Sequence, residues 1–275
     1  NAYNTAVGYS AGAGITTGIK NVLIGGLSGD AITDADSNVA VGYASLTTNV
    51  LGSKSIAVGE GSLSDQNPAT AADMYNVAVG HNAGAAVTTG VQNTLVGGIA
   101  GDALTVGYQN VALGYNALSA DTKGARSIAI GPNALIAQNF TTATDVYNTV
   151  IGAVAGSSVT TGTENTLIGG ISGDALTDAD GNTAVGYSSL TSDTLGSKST
   201  AIGRSALATQ NFTTATDSYN TAVGYQAGVS VTTGTSNLLI GALAGDALTT
   251  ASHNTAVGTA ALTSDTLGSK STALG

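Results

Sequence analysis

The pentad "NTAVG" at residues 4–8 decides the fold, because close copies of it recur along the whole chain. The shared pattern is Asn or Ser, two small or apolar residues, an aliphatic residue and Gly. The sixteen copies begin at Asn4, Asn21, Asn38 and Ser55, at Asn76, Asn93, Asn110 and Ser127, at Asn148, Asn165, Asn182 and Ser199, and at Asn220, Asn237, Asn254 and Ser271. Regular self-similarity at a short period is the signature of a repeat architecture.

The copies are evenly spaced in cycles of four. Three 17-residue steps are followed by one 21-residue step, which makes a 72-residue cycle. Four cycles cover residues 4–75, 76–147, 148–219 and, incompletely, 220–275. We therefore treat residues 1–275 as a single repetitive segment and expect it to be part of a longer fibrous chain.

The composition excludes several classes of protein. Charged residues are 9% of the 275 and aromatic residues 4%, the net charge is −10, and there is no Cys. The seven Lys and Arg are scattered, so the chain lacks the basic stripe that nucleic-acid binding requires. No apolar run approaches the roughly 20 residues that span a bilayer, so we expect no membrane contact in this segment. Disulfides and thiolate metal sites are excluded.

A 17-residue unit with a short β-favouring pentad cannot bury its own apolar face, so neighbouring units must stack. The sequence therefore predicts an all-β parallel β-solenoid of about sixteen coils. A helix is disfavoured because Gly, Thr, Val and Ile recur where a helix prefers Ala, Leu, Glu and Lys. The invariant Gly at position 5 predicts a corner with positive φ or close packing.

Alternation along a strand places pentad positions 2 and 4 on one face and position 3 on the other. Position 4 is always Val, Ile or Leu, so we expect this face to line the inside of the coil. Position 3 is also apolar, which predicts burial against identical chains around a symmetry axis; tolerated surface Ala is the alternative. The predicted interface residues are Ala6, Leu23, Ala40, Ala57, Ala78, Leu95, Ala112, Ala129, Leu167 and Leu239.

The second wall of the coil is predicted to be filled from two registers. The first and second coils of each cycle have Gly at position 9 and an aliphatic residue at position 12, as in Gly29 and Ile32. The third and fourth coils have Leu at position 9, as in Leu46 and Leu63.

The stretches "NTAVGYSAG" (4–12), "SIAIGPNAL" (127–135) and "STAIGRSAL" (199–207) resemble the YadA-like head repeats of trimeric autotransporter adhesins. The resemblance implies a left-handed parallel β-roll, three chains side by side, an extracellular location on the cell surface, and binding to host matrix or other surfaces. Similar repeats occur in phage tail fibres on the virion surface. The resemblance carries no catalytic residues and no cofactor.

The 21-residue coils contain four extra residues, which we expect to bulge from the solenoid once per cycle. Rare aromatic residues concentrate there, at Phe140, Tyr147, Phe212 and Tyr219. Loops on a rigid scaffold often bind ligands, so these residues are candidates for contact with a surface glycan or a matrix protein. The alternative is that they pin the loop to the solenoid.

"DADSN" at 34–38 and "DADGN" at 178–182 are similar to the start of a calcium loop, with Asp34, Asp36, Asp178 and Asp180 as oxygen ligands. The loop glycine and distal Glu of such a site are missing, which favours a solvated turn and no metal.

An acidic row and a basic row recur once per cycle; ion pairs between them are one hypothesis, and we interpret both rows as devices for solubility and register. The two rows are Asp30, Asp102, Asp174 and Asp246, and Lys54, Arg126, Lys198 and Lys270.

An enzyme is the class that the sequence favours least. The two His, His81 and His253, do not recur in other cycles, and no Ser repeats together with His and Asp. The sequence instead favours a structural and adhesive fibre that forms homotrimers. The alternatives are a phage tail-fibre shaft or extracellular filament with no ligand site of its own and, as a minor alternative, an ice-binding solenoid, for which "TTG" in one coil of four is sparse.

Overall fold

A computed structural model describes residues 2–275 as an all-β parallel solenoid of about sixteen coils, with no helix in that range. This confirms the prediction of an all-β parallel β-solenoid. The chain divides into two compact units. The first contains the residues up to Asn133 together with Asn139–Asp145, and the second contains Ala134–Gln138 and Val146–Gly275.

In the first unit, eight pentads form three-residue strands that pair in parallel, and four shorter strands pair as β4 with β6 and β10 with β12. The strands are β1 (Thr5–Val7), β2 (Val22–Ile24), β3 (Val39–Val41), β4 (Gly52–Ser53), β5 (Ile56–Val58), β6 (Ala72–Asp73), β7 (Val77–Val79), β8 (Thr94–Val96), β9 (Val111–Leu113), β10 (Gly124–Ala125), β11 (Ile128–Ile130) and β12 (Thr144–Asp145).

The second unit repeats this arrangement, with eight pentad strands in parallel and one pair of shorter strands, β16 with β18. The strands are β13 (Thr149–Ile151), β14 (Thr166–Ile168), β15 (Thr183–Val185), β16 (Gly196–Ser197), β17 (Thr200–Ile202), β18 (Thr216–Asp217), β19 (Thr221–Val223), β20 (Leu238–Ile240), β21 (Thr255–Val257) and β22 (Thr272–Leu274). Equivalent pentad residues stack directly, as Thr183 on Thr200 and Thr200 on Thr221.

The predicted facing of the pentad is wrong, because position 3 and not position 4 points into the coil. The position-3 residues Leu23, Ala40, Ala57, Ala78, Leu95, Ala112, Ala129, Leu167 and Leu239 have no exposed surface. Ala6 alone among the predicted interface residues is exposed, in a coil that the structure covers on one side only. By contrast, the position-4 side chains of Ile24 and Ile202 are 38% and 39% exposed. The side chains predicted at a chain–chain interface therefore form the core of their own chain.

The reason for this facing is the narrow interior of the coil. In the first two coils of a cycle, one Leu at position 3 fills the space beside two glycines. A Cβ on Gly29 would lie 2.8 Å from Leu23 Cδ2 and 2.9 Å from Ile32 Cδ1. In the third and fourth coils Ala takes position 3, and Leu46 and Leu63 are fully buried instead. The predicted filling from two registers is confirmed, since a small residue at one wall accompanies a large one at the other.

The predicted glycine corner is also confirmed. Gly186 at position 5 has φ +140°, and a Cβ there would lie 2.5 Å from the carbonyl oxygen of Gly203 in the next coil. The other corners of a coil are left-handed turns at residues of several types, such as Lys198, Ser205 and Leu207. Only the position-5 corner therefore requires glycine both for conformation and for space.

Buried asparagines at position 1 join each coil to the next. Asn165 is fully buried; its Nδ2 donates to the carbonyl of Ala179, 2.8 Å away, in its own coil. Its Oδ1 accepts the backbone N–H of Asn182 in the following coil at 3.0 Å. The Asn165 side chain thus provides hydrogen-bond partners for two buried backbone groups, the Ala179 carbonyl and the Asn182 N–H, which the strand pairing does not satisfy. We call the row the Asn ladder.

In the fourth coil of each cycle, position 1 is Ser and not Asn, so the Asn ladder is interrupted there. A buried Gln of the same 21-residue coil makes hydrogen bonds to this Ser and to the Asn of the next coil. Gln66 Oε1 accepts hydrogen bonds from Ser55 Oγ and Asn76 Nδ2, both at 3.0 Å. Gln210 Oε1 likewise accepts from Asn220 Nδ2 at 2.8 Å, and its Nε2 donates to Ser199 Oγ at 2.8 Å. The amide group of this Gln, which belongs to the 21-residue coil, therefore takes the place of the Asn side chain that is missing at position 1 of that coil.

Candidate functional site

The side chains at pentad positions 2 and 4 form what we call the outer sheet face in each unit. All of them are Thr, Val, Ile or Leu, so this face carries no charge. In the first unit Val79 and Leu113 are 36% and 43% exposed, and in the second unit Ile151 and Ile240 are 36% and 38% exposed. A parallel sheet is usually covered on both faces, whereas here only the inner face is covered by the chain itself.

The outer sheet face differs in composition between the two units. Position 2 is mostly Val or Ile in the first unit, whereas in the second unit it is Thr in seven of eight strands, at Thr149, Thr166, Thr183, Thr200, Thr221, Thr255 and Thr272. Their hydroxyl groups have no hydrogen-bond partner within residues 2–275. The first Thr of "TTG" behaves differently, because Thr160 Oγ1 donates to the carbonyl of Thr177 in the next coil.

The basic row forms ion pairs, but with a different acidic row from the one identified in the sequence. Lys54 Nζ lies 2.6 Å from Asp73 Oδ2 and 5.2 Å from the ring centroid of Tyr75. Hydrogen bonding from Lys54 lowers the pKa of Asp73, and hydrogen bonding to Asp73 raises the pKa of Lys54. These groups are about half exposed, so the pair contributes little to stability.

The same cluster of a cation, an Asp and a Tyr is present in two further cycles. The members are Arg126 with Asp145 at 2.6 Å and Tyr108, and Lys198 with Asp217 at 2.5 Å and Tyr219. These acids belong to the 21-residue coils, so each cluster fastens the extra residues to the basic residue before the fourth pentad.

The Asp residues of the predicted acidic row have other surroundings. Asp30 accepts a hydrogen bond from Thr47 Oγ1 at 2.6 Å. Asp102 differs, because its Oδ1 is buried without a hydrogen-bond partner and burial raises its pKa.

The candidate loop aromatics separate into two groups. Phe140 and Phe212 are only 7% and 6% exposed, which overturns their prediction as ligand contacts. Phe212 Cδ2 lies 2.7 Å from where a Cβ of Gly196 would be, and its backbone N–H donates to the buried Asp193 carboxylate at 3.0 Å. The extra residues are thus packed onto the coil because phenylalanine fills its interior.

The two candidate tyrosines remain at the surface. Tyr147 and Tyr219 are 51% and 56% exposed. Tyr219 Oη donates to Asp217 Oδ2 at 3.0 Å, so part of its polar end belongs to the cluster with Lys198.

The carboxylates considered for calcium make contacts within the chain. Asp36 Oδ1 accepts the N–H of Ile19 at 2.7 Å, and Asp180 Oδ1 accepts the N–H and Oγ1 of Thr163 at 2.7 and 2.9 Å. Asp34 accepts from Thr17 Oγ1, and Asp178 is exposed. Within residues 2–275, no group of three or more His, Cys, Asp or Glu is placed to hold a metal ion.

One further surface cluster was not predicted from the sequence. Arg204 lies between Tyr187 and Tyr225, with its Cζ 6.0 and 5.8 Å from the two ring centroids. These three residues occupy the position after the glycine corner in three successive coils. Equivalent positions of successive coils lie next to each other, so the repeat period alone places these three residues together. Aligning the coils by their pentads would have predicted this cluster from the sequence.

Comparison with family models, with curated proteins and with solved structures finds no match to this chain. No helix within residues 2–275 is long and apolar enough to cross a membrane.

Proposed function

We propose that this chain is a structural and adhesive segment of an extracellular fibre, in which copies associate side by side through the outer sheet face. The observation that carries the proposal is the uncharged outer sheet face, whose aliphatic side chains are exposed or partly exposed in the single chain. Contiguous exposed apolar surface of this kind marks interaction sites in soluble proteins. The resemblance to adhesin head repeats supports three copies and a location on a cell or virion surface.

The corrected facing strengthens the physical basis of self-association. The position-3 residues fill the narrow interior of the coil, while Val, Ile and Leu at position 4 point outward. Three identical chains around a threefold axis parallel to the solenoid would bring their uncharged rows together at the same level, because the spacing between coils is the same in each chain. Closed rotational symmetry of this kind is the usual arrangement of homo-oligomers.

The oligomeric state tests this proposal. Light scattering coupled to size-exclusion chromatography should give the mass of a trimer for the 26.5 kDa chain. Val79→Lys and Leu113→Lys place charges on the outer sheet face and should yield monomers. Val106→Lys is the matched control, because Val106 is 37% exposed but lies outside the pentad strands. A monomeric wild-type protein, or equal dissociation by all three variants, contradicts the proposal.

The adhesive part of the proposal is separable from the structural part. Arrays of glycans and matrix proteins should retain the wild-type assembly if the segment is adhesive. If the segment is instead the shaft of a tail fibre or filament, and another part of that fibre binds the target, it should assemble but bind nothing on either array.

The threonine row of the second unit favours ice binding as a second candidate. Its free hydroxyl groups alternate with aliphatic side chains on one sheet face, at the strand spacing of about 4.8 Å. Such a rigid grid of hydroxyl and methyl groups is suited to ordering water. Because the same face serves self-association, a trimer that buries it should show no thermal hysteresis. A monomer with thermal hysteresis that Thr183→Lys abolishes would support ice binding instead.

A further inference from the structure

Arg204 is held between two exposed aromatic rings in the second unit. Tyr187 lies one coil before it and Tyr225 one coil after it, and the rings are 56% and 45% exposed. The centroid distances fall at the outer limit of cation–π contact, about 6 Å. The two contacts restrict the long side chain and reduce the entropy lost when its guanidinium group binds a partner.

The guanidinium group of Arg204 has no ion pair or hydrogen bond within residues 2–275. The basic residues of the clusters described above differ, because Lys54, Arg126 and Lys198 are each paired with an Asp. Arg204 therefore offers its N–H donors to an external acceptor. A carboxylate matches this planar set of donors with two parallel hydrogen bonds.

The surroundings narrow the class of ligand. Two exposed tyrosine rings flank the cation, and each ring carries a neutral hydroxyl group. This combination of aromatic surface and neutral hydroxyl groups suits a sugar ring with its own hydroxyl groups. The net charge of −10 repels heavily charged polyanions, so the fitting ligand is a largely neutral saccharide with a single carboxylate.

We propose that Tyr187, Arg204 and Tyr225 form a binding site for a carboxylate-bearing saccharide residue. The site lies beyond the glycine corner and outside the outer sheet face, so it goes beyond the proposed self-association and does not depend on it.

The corresponding position in the first cycle carries the opposite charge. There Glu60 follows Tyr43 by one coil and precedes His81 by one coil. An acidic residue in that position cannot bind a carboxylate. The first cycle thus supplies a gain-of-function test in the same repeat context.

The experiment uses the assembled wild-type protein and a short oligosaccharide that ends in a uronic acid, with its neutral counterpart as comparison. Calorimetric titration should detect binding of the uronate only. Arg204→Gln should abolish it, and Arg204→Lys should weaken it about tenfold or more because the paired donors and the stacking are lost. Glu60→Arg combined with His81→Tyr, which supplies the second flanking tyrosine next to Tyr43, should add a second binding site.

Lys270→Gln is the matched control, because Lys270 is an exposed cation of the same unit and its loss changes the net charge equally. It should leave binding unchanged. Equal binding of the neutral oligosaccharide, equal loss with the Lys270 variant, or binding of an acidic peptide with no binding of the uronate would each overturn the proposal. Circular dichroism of each variant shows whether the solenoid is retained.

Discussion

Replacement of Asn165 by Ala tests how the coils are joined. The substitution removes the Nδ2 donor of the Ala179 carbonyl and the Oδ1 acceptor of the Asn182 N–H. Neither backbone group has another partner in its surroundings, and Asn165 and Asn182 are fully buried. Each unsatisfied buried group costs about 1–3 kcal/mol, so Asn165→Ala should lower the free energy of unfolding by about 2–6 kcal/mol.

Hydrogen exchange locates this effect and thermal melting measures it. The amide of Asn182 should exchange at least about thirtyfold faster in the variant, which corresponds to the lower end of that range. Asn211→Ala is the matched control, because Asn211 is exposed and only its Oδ1 is used, by Thr194 Oγ1 at 3.1 Å. Its effect should stay within about 0.5 kcal/mol.

Asn165→Asp separates the lost hydrogen bonds from the lost volume. The carboxylate is nearly isosteric but places an acceptor against the Ala179 carbonyl, so the variant should be destabilised at neutral pH. Protonation at low pH restores a donor and should recover part of the loss. If Asn165→Ala stays within about 1 kcal/mol of the wild type, the Asn ladder does not hold the coils as argued.

Three further changes test other parts of the fold. Gly186→Ala should destabilise the second unit by about 3 kcal/mol or more, because its φ of +140° excludes Ala and the next coil blocks the methyl group. Gly181→Ala, with φ +66° and nothing closer than 3.8 Å, should lose only about 1 kcal/mol in the same melting assay. Asp193→Asn should lower the free energy of unfolding in urea by about 1–3 kcal/mol, because Gln210 Nε2 donates to Asp193 Oδ2 at 2.5 Å and would face an amide donor. Lys198→Gln should lower the melting temperature slightly at neutral pH, and this difference should vanish as the pH falls below 3.8, since the hydrogen bond from Lys198 lowers the pKa of its partner carboxyl from that value.

Each of these has a result that contradicts it. If Gly186→Ala and Gly181→Ala lose the same stability, the close approach of the next coil at the position-5 glycine is not what excludes a side chain there. A neutral effect of Asp193→Asn would mean that Gln210 finds another acceptor. A difference between wild type and Lys198→Gln that persists well below the pKa of the carboxyl would show that the lysine acts through packing and not through its ion pair.

The repeat period was sufficient to predict the parallel solenoid, because only stacking buries the apolar face of a 17-residue unit. The period did not reveal which apolar row faces inward, since Ala6 and Val7 are equally compatible with either side of a strand. The facing depends on the narrow interior of the coil. Position 9 is Gly where position 3 is Leu, as at Gly29, whereas the third and fourth coils combine Ala at position 3 with Leu at position 9, as at Leu46. Comparing the volumes of position 3 and position 9 across one cycle would have given the correct facing.

The candidate sites were harder to predict because they depend on neighbours in space. Phe140 was a candidate ligand contact because it lies in an insertion, with pinning of the loop to the solenoid as the alternative. The alternative holds for Phe140, because an aromatic side chain is more stable inside a coil with glycine at the opposite wall. The stack at Arg204 arises from three residues in three different coils, each ordinary in its own segment. The Asn ladder was visible as a position that is Asn in twelve of the sixteen pentads, but its role depends on a carbonyl group 14 residues later in the chain, which only the structure shows.

The order of the coils within a cycle constrains how such a chain can change its length. Gly84, in the first coil of the second cycle, lies against Leu63 of the coil before it and Leu95 of the coil after it. Loss of that 17-residue coil alone would set Leu95 directly beside Leu63. Recombination that adds or removes a whole cycle leaves each of these contacts intact. Viable variants of this chain should therefore differ in length by whole 72-residue cycles.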